Sequence, residues 1–357
     1  MKHYKLLWTL TASIFLASCS KNDSAPTQTA IQPANGFFIL NQGGYPDNNS
    51  SLTYYDFTTN SVSNDLYQAA NSKQLGNLAQ DFIIYGSKIY ITLNGGTSAV
   101  NTLAVLDVNT QKLLKSDTIN VPRYIVSYNG KIFVSSWDNN VYEIDTATYS
   151  VDKKIPVSGV GPEGMAIVGS SLYVANSGGY GTDSTVSVID LNSLTEIKKI
   201  QVGYGASRVV ANANGDVYVT CQGNYTDTSL SHVAVIDSKQ NALKTTVNVL
   251  ASQIDIYNNN AFISAIIYDA NYNSAIAYPE IDLSGNTIIK QNFITDGTKI
   301  TYPYGIDVDA QNGNIYVDDA STFSQNGSIY CFTEDGALKF KTSSNGIGPC
   351  KIVFVRS

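Results

Sequence analysis

The sequence has little positive charge and no local concentration of it. Charged residues make up 14% of the 357 residues, the formal net charge is −7, and arginine occurs only at Arg123, Arg208 and Arg356. Nucleic-acid binding requires clustered lysine and arginine side chains that neutralise phosphates. The composition therefore excludes a nucleic-acid partner.

Cysteine is also scarce, and its spacing builds neither a disulfide framework nor a CxxC metal site. Besides Cys19 in the N-terminal segment, the chain has Cys221, Cys331 and Cys350. Two interpretations stay open for these three residues. They are small buried hydrophobic side chains, or Cys331 and Cys350 form a disulfide in an oxidising compartment.

The longest apolar run lies near the N-terminus, where LLWTLTASIFLA (6–17) follows the basic start MKHYK. It is shorter than the roughly 20 residues that span a bilayer, but it suits a secretory signal peptide. It ends in LASC (16–19), which resembles a lipobox whose cysteine becomes acylated. We expect a lipoprotein signal peptide over residues 1–18, lipidation of Cys19, and a flexible polar linker within residues 19–34.

A short pattern recurs seven times, a turn followed by an apolar and mostly aromatic strand. Glycine and asparagine before these strands supply the positive φ that tight hairpin turns need. The copies are NGFFIL (35–40), GSKIYI (86–91), NGKIFV (129–134), GSSLYV (169–174), NGDVYV (214–219), NNNAFI (258–263) and NGNIYV (312–317).

A strand that ends in aspartate follows six of these copies, at Asp56, Asp107, Asp145, Asp190, Asp237 and Asp282. We expect each aspartate to cap the turn that follows it. Successive aspartates lie 51, 38, 45, 47 and 45 residues apart. Seven such units, each with four short strands, predict an all-β fold: a seven-bladed β-propeller with four antiparallel strands per blade.

The two ends of the chain are predicted to meet in one blade. The other six units contain an innermost strand, but the first unit begins directly with its second strand, FFIL (37–40). GPCKIVFV (348–355) at the C-terminus has the character of the missing strand. We therefore expect this C-terminal strand to join the first blade and close the ring, so that residues 35–357 form one propeller domain.

The loops between second and third strands are long in most units, and they lie on one face of the predicted propeller. They combine aromatic residues with Asn, Gly, Ser and Thr, which is typical of a recognition surface. The alternative interpretation is that the tyrosines only pack between blades. With the starts of the innermost strands on that face, the predicted ligand-binding residues are Asn41, Gln42, Tyr45, Arg123, Tyr124, Trp137, Tyr180, Tyr204, Arg208, Tyr225, Tyr268, Tyr272, Tyr304 and Phe323.

Catalysis is not expected. His232 is the single histidine outside the N-terminal segment, and the sequence has no GxSxG, P-loop, HExxH or EF-hand motif. The sequence therefore predicts a protein that is not an enzyme, with no metal site and no catalytic cofactor. Carboxylate-based hydrolysis stays open, although no pair stands out among the aspartates of the loop face: Asp47, Asp138, Asp183, Asp227, Asp269, Asp318 and Asp319.

Four stretches of the chain resemble a known family: ILNQGGYPDNNSSLTYYD (39–56), AANSKQLGNLAQD (69–81), VPRYI (121–125) and YGIDVDAQNGNIYVDDASTFSQNGSIYCFTEDG (304–336). They resemble the YncE-like propeller lipoproteins, and within that group the BtuG-type proteins that capture vitamin B12 at the cell surface. The matching motifs mainly define blades rather than loops.

This resemblance implies a lipid-anchored protein on the outer face of an outer membrane. It implies that one face of the propeller binds cobalamin or another corrinoid and passes it to a TonB-dependent transporter of the BtuB type. Aromatic side chains among amides suit a large apolar corrin ring with amide groups on its rim, and they suit an oligosaccharide too. The alternative function is a surface propeller that binds a glycan, a peptide or a protein partner without catalysis.

Overall fold

The computed structural model describes residues 31–95, 101–179, 182–224, 230–268 and 273–356. These residues form seven antiparallel sheets. The innermost strand of each sheet packs against the innermost strands of the two neighbouring sheets, and these contacts close a ring around a central channel. The predicted seven-bladed β-propeller is therefore confirmed.

The first four blades have the regular four-strand pattern. Blade 1 contains β1 (Gly36–Asn41), β2 (Ser51–Asp56), β3 (Ser61–Ser63) and, innermost, β29 (Pro349–Val355); helix α1 (Leu66–Asn71) follows β3. Blade 2 contains β4 (Ala79–Tyr85), β5 (Lys88–Leu93), β6 (Thr102–Asp107) and β7 (Leu113–Asp117). Blade 3 contains β8 (Pro122–Tyr128), β9 (Lys131–Ser136), β10 (Asn140–Asp145) and β11 (Val151–Pro156). Blade 4 contains β12 (Pro162–Val168), β13 (Ser171–Asn176), β14 (Thr185–Asp190) and β15 (Thr195–Gln201).

The remaining blades repeat this pattern with one addition in blade 6, where β22 extends β21. Blade 5 contains β16 (Ala206–Ala211), β17 (Asp216–Cys221), β18 (His232–Asp237) and β19 (Ala242–Val247). Blade 6 contains β20 (Gln253–Tyr257), β21 (Asn260–Tyr268), β22 (Ser274–Ala277), β23 (Glu280–Asp282) and β24 (Thr287–Lys290). Blade 7 contains β25 (Pro303–Val308), β26 (Ile315–Asp319), β27 (Asn326–Phe332) and β28 (Leu338–Ile347).

The C-terminal strand closes the ring as the sequence predicted. β29 pairs antiparallel with β1, and Val353 lies opposite Phe38 in this ladder. Because β1 also pairs with β2 on its other edge, strands from both ends of the chain belong to one sheet. Fraying of either end would therefore open blade 1, which ties the integrity of the ring to both termini.

The aromatic residue of the recurrent motif packs between blades. At the equivalent position of every second strand its side chain is at most 2% exposed: Phe38, Tyr90, Phe133, Tyr173, Tyr218, Phe262 and Tyr316. In two blades the hydroxyl group also bonds to the next blade, since Tyr218 donates to Asn286 Oδ1 at 2.9 Å and Tyr173 donates to Asn241. These side chains fill the wedge between neighbouring sheets, which is the main apolar core.

The aspartates at the ends of the third strands cap turns, as predicted. Asp145 accepts backbone hydrogen bonds from Ala147 and Thr148 at 3.0 and 2.8 Å. The same type of bond forms at Asp56, Asp107, Asp190, Asp237 and Asp282. These acids therefore shape the turns on the face opposite the long loops.

The cysteines of the propeller are free thiols. Cys221 and Cys331 are buried and Cys350 is half-buried, so the alternative of a Cys331–Cys350 disulfide is not realised. The predicted signal peptide, Cys19 and most of the linker lie outside the described residues and stay predictions. No helix within the described ranges has the length and hydropathy of a membrane span.

Three aspartate carboxylates join the innermost strands of neighbouring blades. Asp81 on β4 accepts the backbone N–H of Ile125 on β8 at 2.9 Å. Asp255 on β20 accepts the backbone N–H of Val308 on β25 at 2.7 Å. Asp307 on β25 accepts the backbone N–H of Ile352 on β29 at 2.8 Å. An innermost strand has one free edge, and each bond satisfies a donor that would otherwise be unpaired there.

We predict that Tyr218→Phe lowers the free energy of unfolding by about 1 kcal/mol, because it removes a buried hydrogen bond between blades. Tyr90→Phe is the matched control, since Tyr90 occupies the equivalent position and its hydroxyl makes no hydrogen bond to the part of the chain that the structure describes. Urea titration of both variants measures the difference. Equal destabilisation by the two substitutions would contradict a role for the Tyr218 bond.

Candidate functional site

The long-loop face of the propeller contains a cavity of about 500 Å³ at the mouth of the central channel. Its walls come from the starts of the innermost strands and from the loops that follow the second strands. The lining is aromatic, amide and guanidinium in character: Gln80, Arg123, Tyr124, Trp137, Glu163, Ser177, Gly179, Gly205, Ser207, Arg208, Gln222, Gly223, Asn224, Gln253, Ile266, Ile267, Tyr268, Tyr302, Tyr304 and Cys350.

Irregular pairing at the innermost strands builds much of this wall. In six blades the register between the innermost strand and its neighbour shifts at the second residue of the strand. A β-bulge of this kind re-aims a side chain out of the regular alternation. The second residue lines the cavity in all six blades: Gln80, Arg123, Glu163, Ser207, Tyr304 and Cys350.

An ion pair fixes one side of the wall. Arg123 Nε lies 2.9 Å from Glu163 Oε2, and Trp137 Nε1 donates to the other carboxylate oxygen at 2.8 Å. The guanidinium also stacks 4.4 Å from the centroid of the Trp137 ring. Ser177 completes the cluster with a contact of 3.4 Å to Glu163 Oε1. The indole is therefore held in one orientation at the edge of the cavity.

Aromatic rings form the opposite side. Tyr302 and Tyr304 line the cavity, and Phe323 packs edge-on against both, with ring centroids 5.2 and 5.0 Å away. Tyr304 donates its hydroxyl hydrogen to Gln42 Oε1. Burial raises the pKa of Tyr302 and Tyr304 above the ordinary value for a phenol, so both side chains stay neutral hydrogen-bonding groups in the physiological range.

Tyr124 and Arg208 form the floor. Both line the upper cavity and also a second cavity of about 160 Å³ deeper in the channel, so these two side chains separate the two spaces. The Arg208 guanidinium stacks 4.6 Å from the centroid of the Tyr124 ring. Gln80 Nε2 donates to the Tyr124 hydroxyl at 3.2 Å. The lower cavity is charged, with Asp81, Asp255 and Lys351 in its wall.

The structure brings together part of the predicted binding set. Six of its members line the cavity: Arg123, Tyr124, Trp137, Arg208, Tyr268 and Tyr304. Gln42 and Phe323 support Tyr304 from outside the wall. Tyr45 and Tyr204 are 55% and 44% exposed and lie outside the cavity wall. Tyr180, Tyr225 and Tyr272 lie outside the described residues.

Asn41 has a different place from the one the sequence predicted. It is fully buried at the end of β1, and its amide donates to the hydroxyls of Ser51 and Thr53 at 3.1 and 3.5 Å. The residue still belongs to the strand and not to the loop that follows, so its side chain points into the blade. Asn41 therefore holds β1 against β2 and does not reach the cavity.

Sequence reasoning missed the acid and most of the amides of the wall. Glu163, Gln80 and Gln253 lie at the starts of innermost strands, the position that also supplies Arg123 and Tyr304. The signal that could have found them is this shared position in the repeat. His232, in contrast, lies outside the wall, and its ring nitrogens are 2.8 and 2.7 Å from the backbone carbonyls of Val202 and Leu230.

A buried acid lies in blade 7, against the innermost strand β25. Asp318 on β26 is fully buried, and neither of its carboxylate oxygens has a hydrogen-bond partner within the described ranges. Burial and the neighbouring Asp307 carboxylate raise the pKa of Asp318 well above its usual range, against the attraction of Lys351 and Arg208. Asp318 is therefore protonated in the folded protein at pH values where an exposed aspartate is ionised.

We predict that Asp318→Asn stabilises the fold as pH rises. A folded-state pKa above the unfolded value means that the native state holds the extra proton, so wild-type stability falls between the unfolded pKa of about 4 and the raised native pKa. The melting temperature of the variant relative to wild type should be higher at pH 8 than at pH 5. The exposed Asp335→Asn is the control, and the same pH trend in both variants would rule out the raised pKa.

Residues 35–343 match the family model described as Domain of unknown function (DUF5074). No curated protein gives a significant sequence match. Solved structures give many significant matches, and those described below are propellers at less than 25% identity, so they support the fold alone.

Three solved structures illustrate the likeness. A putative 6-phosphogluconolactonase from Bacteroides uniformis has a TM-score of 0.67 at 11% identity, over 91% of this chain and 100% of that one. A quinonprotein alcohol dehydrogenase-like protein from Bacteroides thetaiotaomicron has a TM-score of 0.60 at 16% identity, over 90% and 78% of the two chains. BamB from Moraxella catarrhalis has a TM-score of 0.55 at 12% identity, over 90% and 87%.

Proposed function

The chain belongs to the DUF5074 family, and we propose that it captures a corrinoid such as cobalamin at the mouth of the propeller channel. The observation that supports this proposal is the composition of the cavity wall. Flat aromatic rings at Trp137, Tyr302 and Tyr304 alternate with amide side chains at Gln80 and Gln253. A corrin ring offers the complementary pattern, an apolar face with amide groups around its rim.

The size of the cavity is consistent with this role. Its volume of about 500 Å³ lies within the roughly 300–1,000 Å³ of small-molecule sites. A corrinoid is larger than this space, so one part of the ligand would fill the cavity and the rest would lie on the surrounding loops. The exposed rings of Tyr45 and Tyr204 lie on loops of that face.

The proposal is binding without catalysis. Within the described ranges, Glu163 is the acid of the cavity wall, and both of its oxygens accept bonds from Arg123 and Trp137. A carboxylate held in this way is a poor general base, because its basic oxygens are already occupied. The two acids of the lower-cavity wall are held as well, since Asp81 and Asp255 accept backbone N–H groups.

The cellular setting is proposed from the sequence. The LASC motif and Cys19 point to a lipid anchor, and the family resemblance places that anchor in an outer membrane, facing the cell exterior. From there, the propeller would pass its ligand to a TonB-dependent transporter of the BtuB type. This part of the proposal rests on the resemblance to the BtuG-type lipoproteins.

One alternative ligand has support from the same wall. Sugar rings stack on tryptophan and tyrosine, and amides and hydroxyls bond their hydroxyl groups. Trp137, beside Ser177 and Asn224, offers this combination. A glycan is therefore the second candidate ligand, ahead of a peptide or a protein partner.

We predict that the purified full chain binds cyanocobalamin with one-to-one stoichiometry in isothermal titration. A corrinoid that fills the cavity buries aromatic surface, so the heat capacity change on binding should be negative. Maltoheptaose and cellohexaose serve as glycan probes in parallel titrations. Binding of a glycan and no heat with any corrinoid would replace the proposed ligand by the alternative.

We also predict that Trp137→Ala weakens cyanocobalamin binding at least tenfold, since buried aromatic anchors carry most of the energy of such sites. Ile197→Ala is the control, because it removes an exposed apolar side chain from the outermost strand β15, away from the cavity wall and its loops. Circular dichroism checks that both variants fold. Equal affinities of the two variants would show that the ligand does not use this cavity.

A further inference from the structure

Among the residues that the structure describes, Arg208 has no acidic ion-pair partner, whereas the other two arginines each have one. Arg123 pairs with Glu163, and Arg356 pairs with Asp309. For Arg208, the described ranges contain no carboxylate oxygen within the 4.0 Å of an ion pair. Burying a charge without a partner costs free energy, so this guanidinium in the floor of a cavity needs an explanation.

The neighbouring side chains keep Arg208 protonated and occupy few of its N–H hydrogen-bond donors. The Tyr124 ring stacks on the guanidinium. Burial opposes the charge, but Tyr124, Asp81 and Asp307 outweigh burial and raise the pKa of Arg208. Asp81 already accepts the N–H of Ile125, and Asp307 is paired with Lys351. Most of the five N–H donors of the guanidinium therefore remain available to a ligand.

The cavity wall has an excess of positive charge. Its described charged residues are Arg123, Glu163 and Arg208, and the first two neutralise each other. Gln80 and Gln253 add neutral hydrogen-bond donors to the same wall. The planar guanidinium of Arg208 matches the geometry of a carboxylate or a phosphate, which it can bind through two parallel hydrogen bonds.

We propose that Arg208 binds an oxyanion, a phosphate or a carboxylate, on the ligand that the cavity captures. This inference rests on the proposed function, which places the ligand in the cavity above Arg208. The acids of the lower cavity attract the same guanidinium from below, so the gain is smaller than for an isolated arginine. We expect Arg208 to favour a ligand with the oxyanion about tenfold over the same ligand without it.

The test compares ligands and variants in one cycle of dissociation constants, measured by isothermal titration on the full chain. Cyanocobalamin carries a phosphodiester, dicyanocobinamide lacks it, and a cobinamide with one side-chain amide hydrolysed carries a carboxylate instead. Wild type should prefer at least one oxyanion-bearing ligand over dicyanocobinamide about tenfold. Arg208→Gln should remove this preference, and Arg208→Lys, which keeps the charge but not the planar fork, should keep part of it.

Lys239→Gln is the control for charge alone, because it removes one positive charge from an exposed turn on the opposite face. It should behave like wild type with all three ligands. The pair of ligands that shows the preference identifies the oxyanion as phosphate or carboxylate. If Arg208→Gln weakens the three corrinoids by one common factor, or leaves all three unchanged, the proposal is overturned.

If no corrinoid binds to the wild-type protein, the proposed function fails. A second measurement then tests oxyanion binding by Arg208 separately. Inorganic phosphate is then the probe, replacing chloride at constant ionic strength, and the melting temperature is the readout. Phosphate should raise the melting temperature of wild type and of Lys239→Gln more than that of Arg208→Gln. An equal response of all three proteins would overturn the proposal.

Discussion

The free edge of each innermost strand is the constraint on which this propeller depends. Such a strand pairs on one side only, so its other edge presents backbone N–H groups to the channel. Asp81, Asp255 and Asp307 meet three of these groups from the neighbouring blade. Burial raises the pKa of Asp81 and Asp255. Removing these carboxylates from water therefore costs free energy, and they occur where they bond one blade to the next.

The same edge creates the binding cavity. Where the innermost strands leave regular pairing, a bulge turns the second residue toward the mouth of the channel. One repeated position can therefore differ in chemistry from blade to blade without disturbing the sheets: amide at Gln80, ion pair at Arg123 and Glu163, phenol at Tyr304. The ring contributes the scaffold, and each blade contributes one choice of side chain.

Sequence reasoning was strongest where a signal repeats. The sequence predicts seven similar blades, aspartates that cap turns and a C-terminal strand that closes the ring. The structure confirms these three predictions. Sequence reasoning was weaker for the site. Arg123 and Arg208 are predicted from their place at the entry to innermost strands, but the prediction omits Glu163, which has the same place in β12. Asn41, predicted for the loop face, ends β1 instead.

The blade pattern follows from the chain alone, because strand periodicity, turn residues and repeat length act over a few neighbouring positions. The cavity does not, because its wall joins single residues from different blades, from 40 positions apart for Arg123 and Glu163 to 270 for Gln80 and Cys350. Whether such a residue faces the ligand depends on a β-bulge and on the geometry of the channel. The alternation of hydrophobic residues in the sequence predicts neither. Arg208 illustrates the difference: the sequence shows an arginine, and only the assembled ring shows that none of the acids in the described part of the chain forms an ion pair with it.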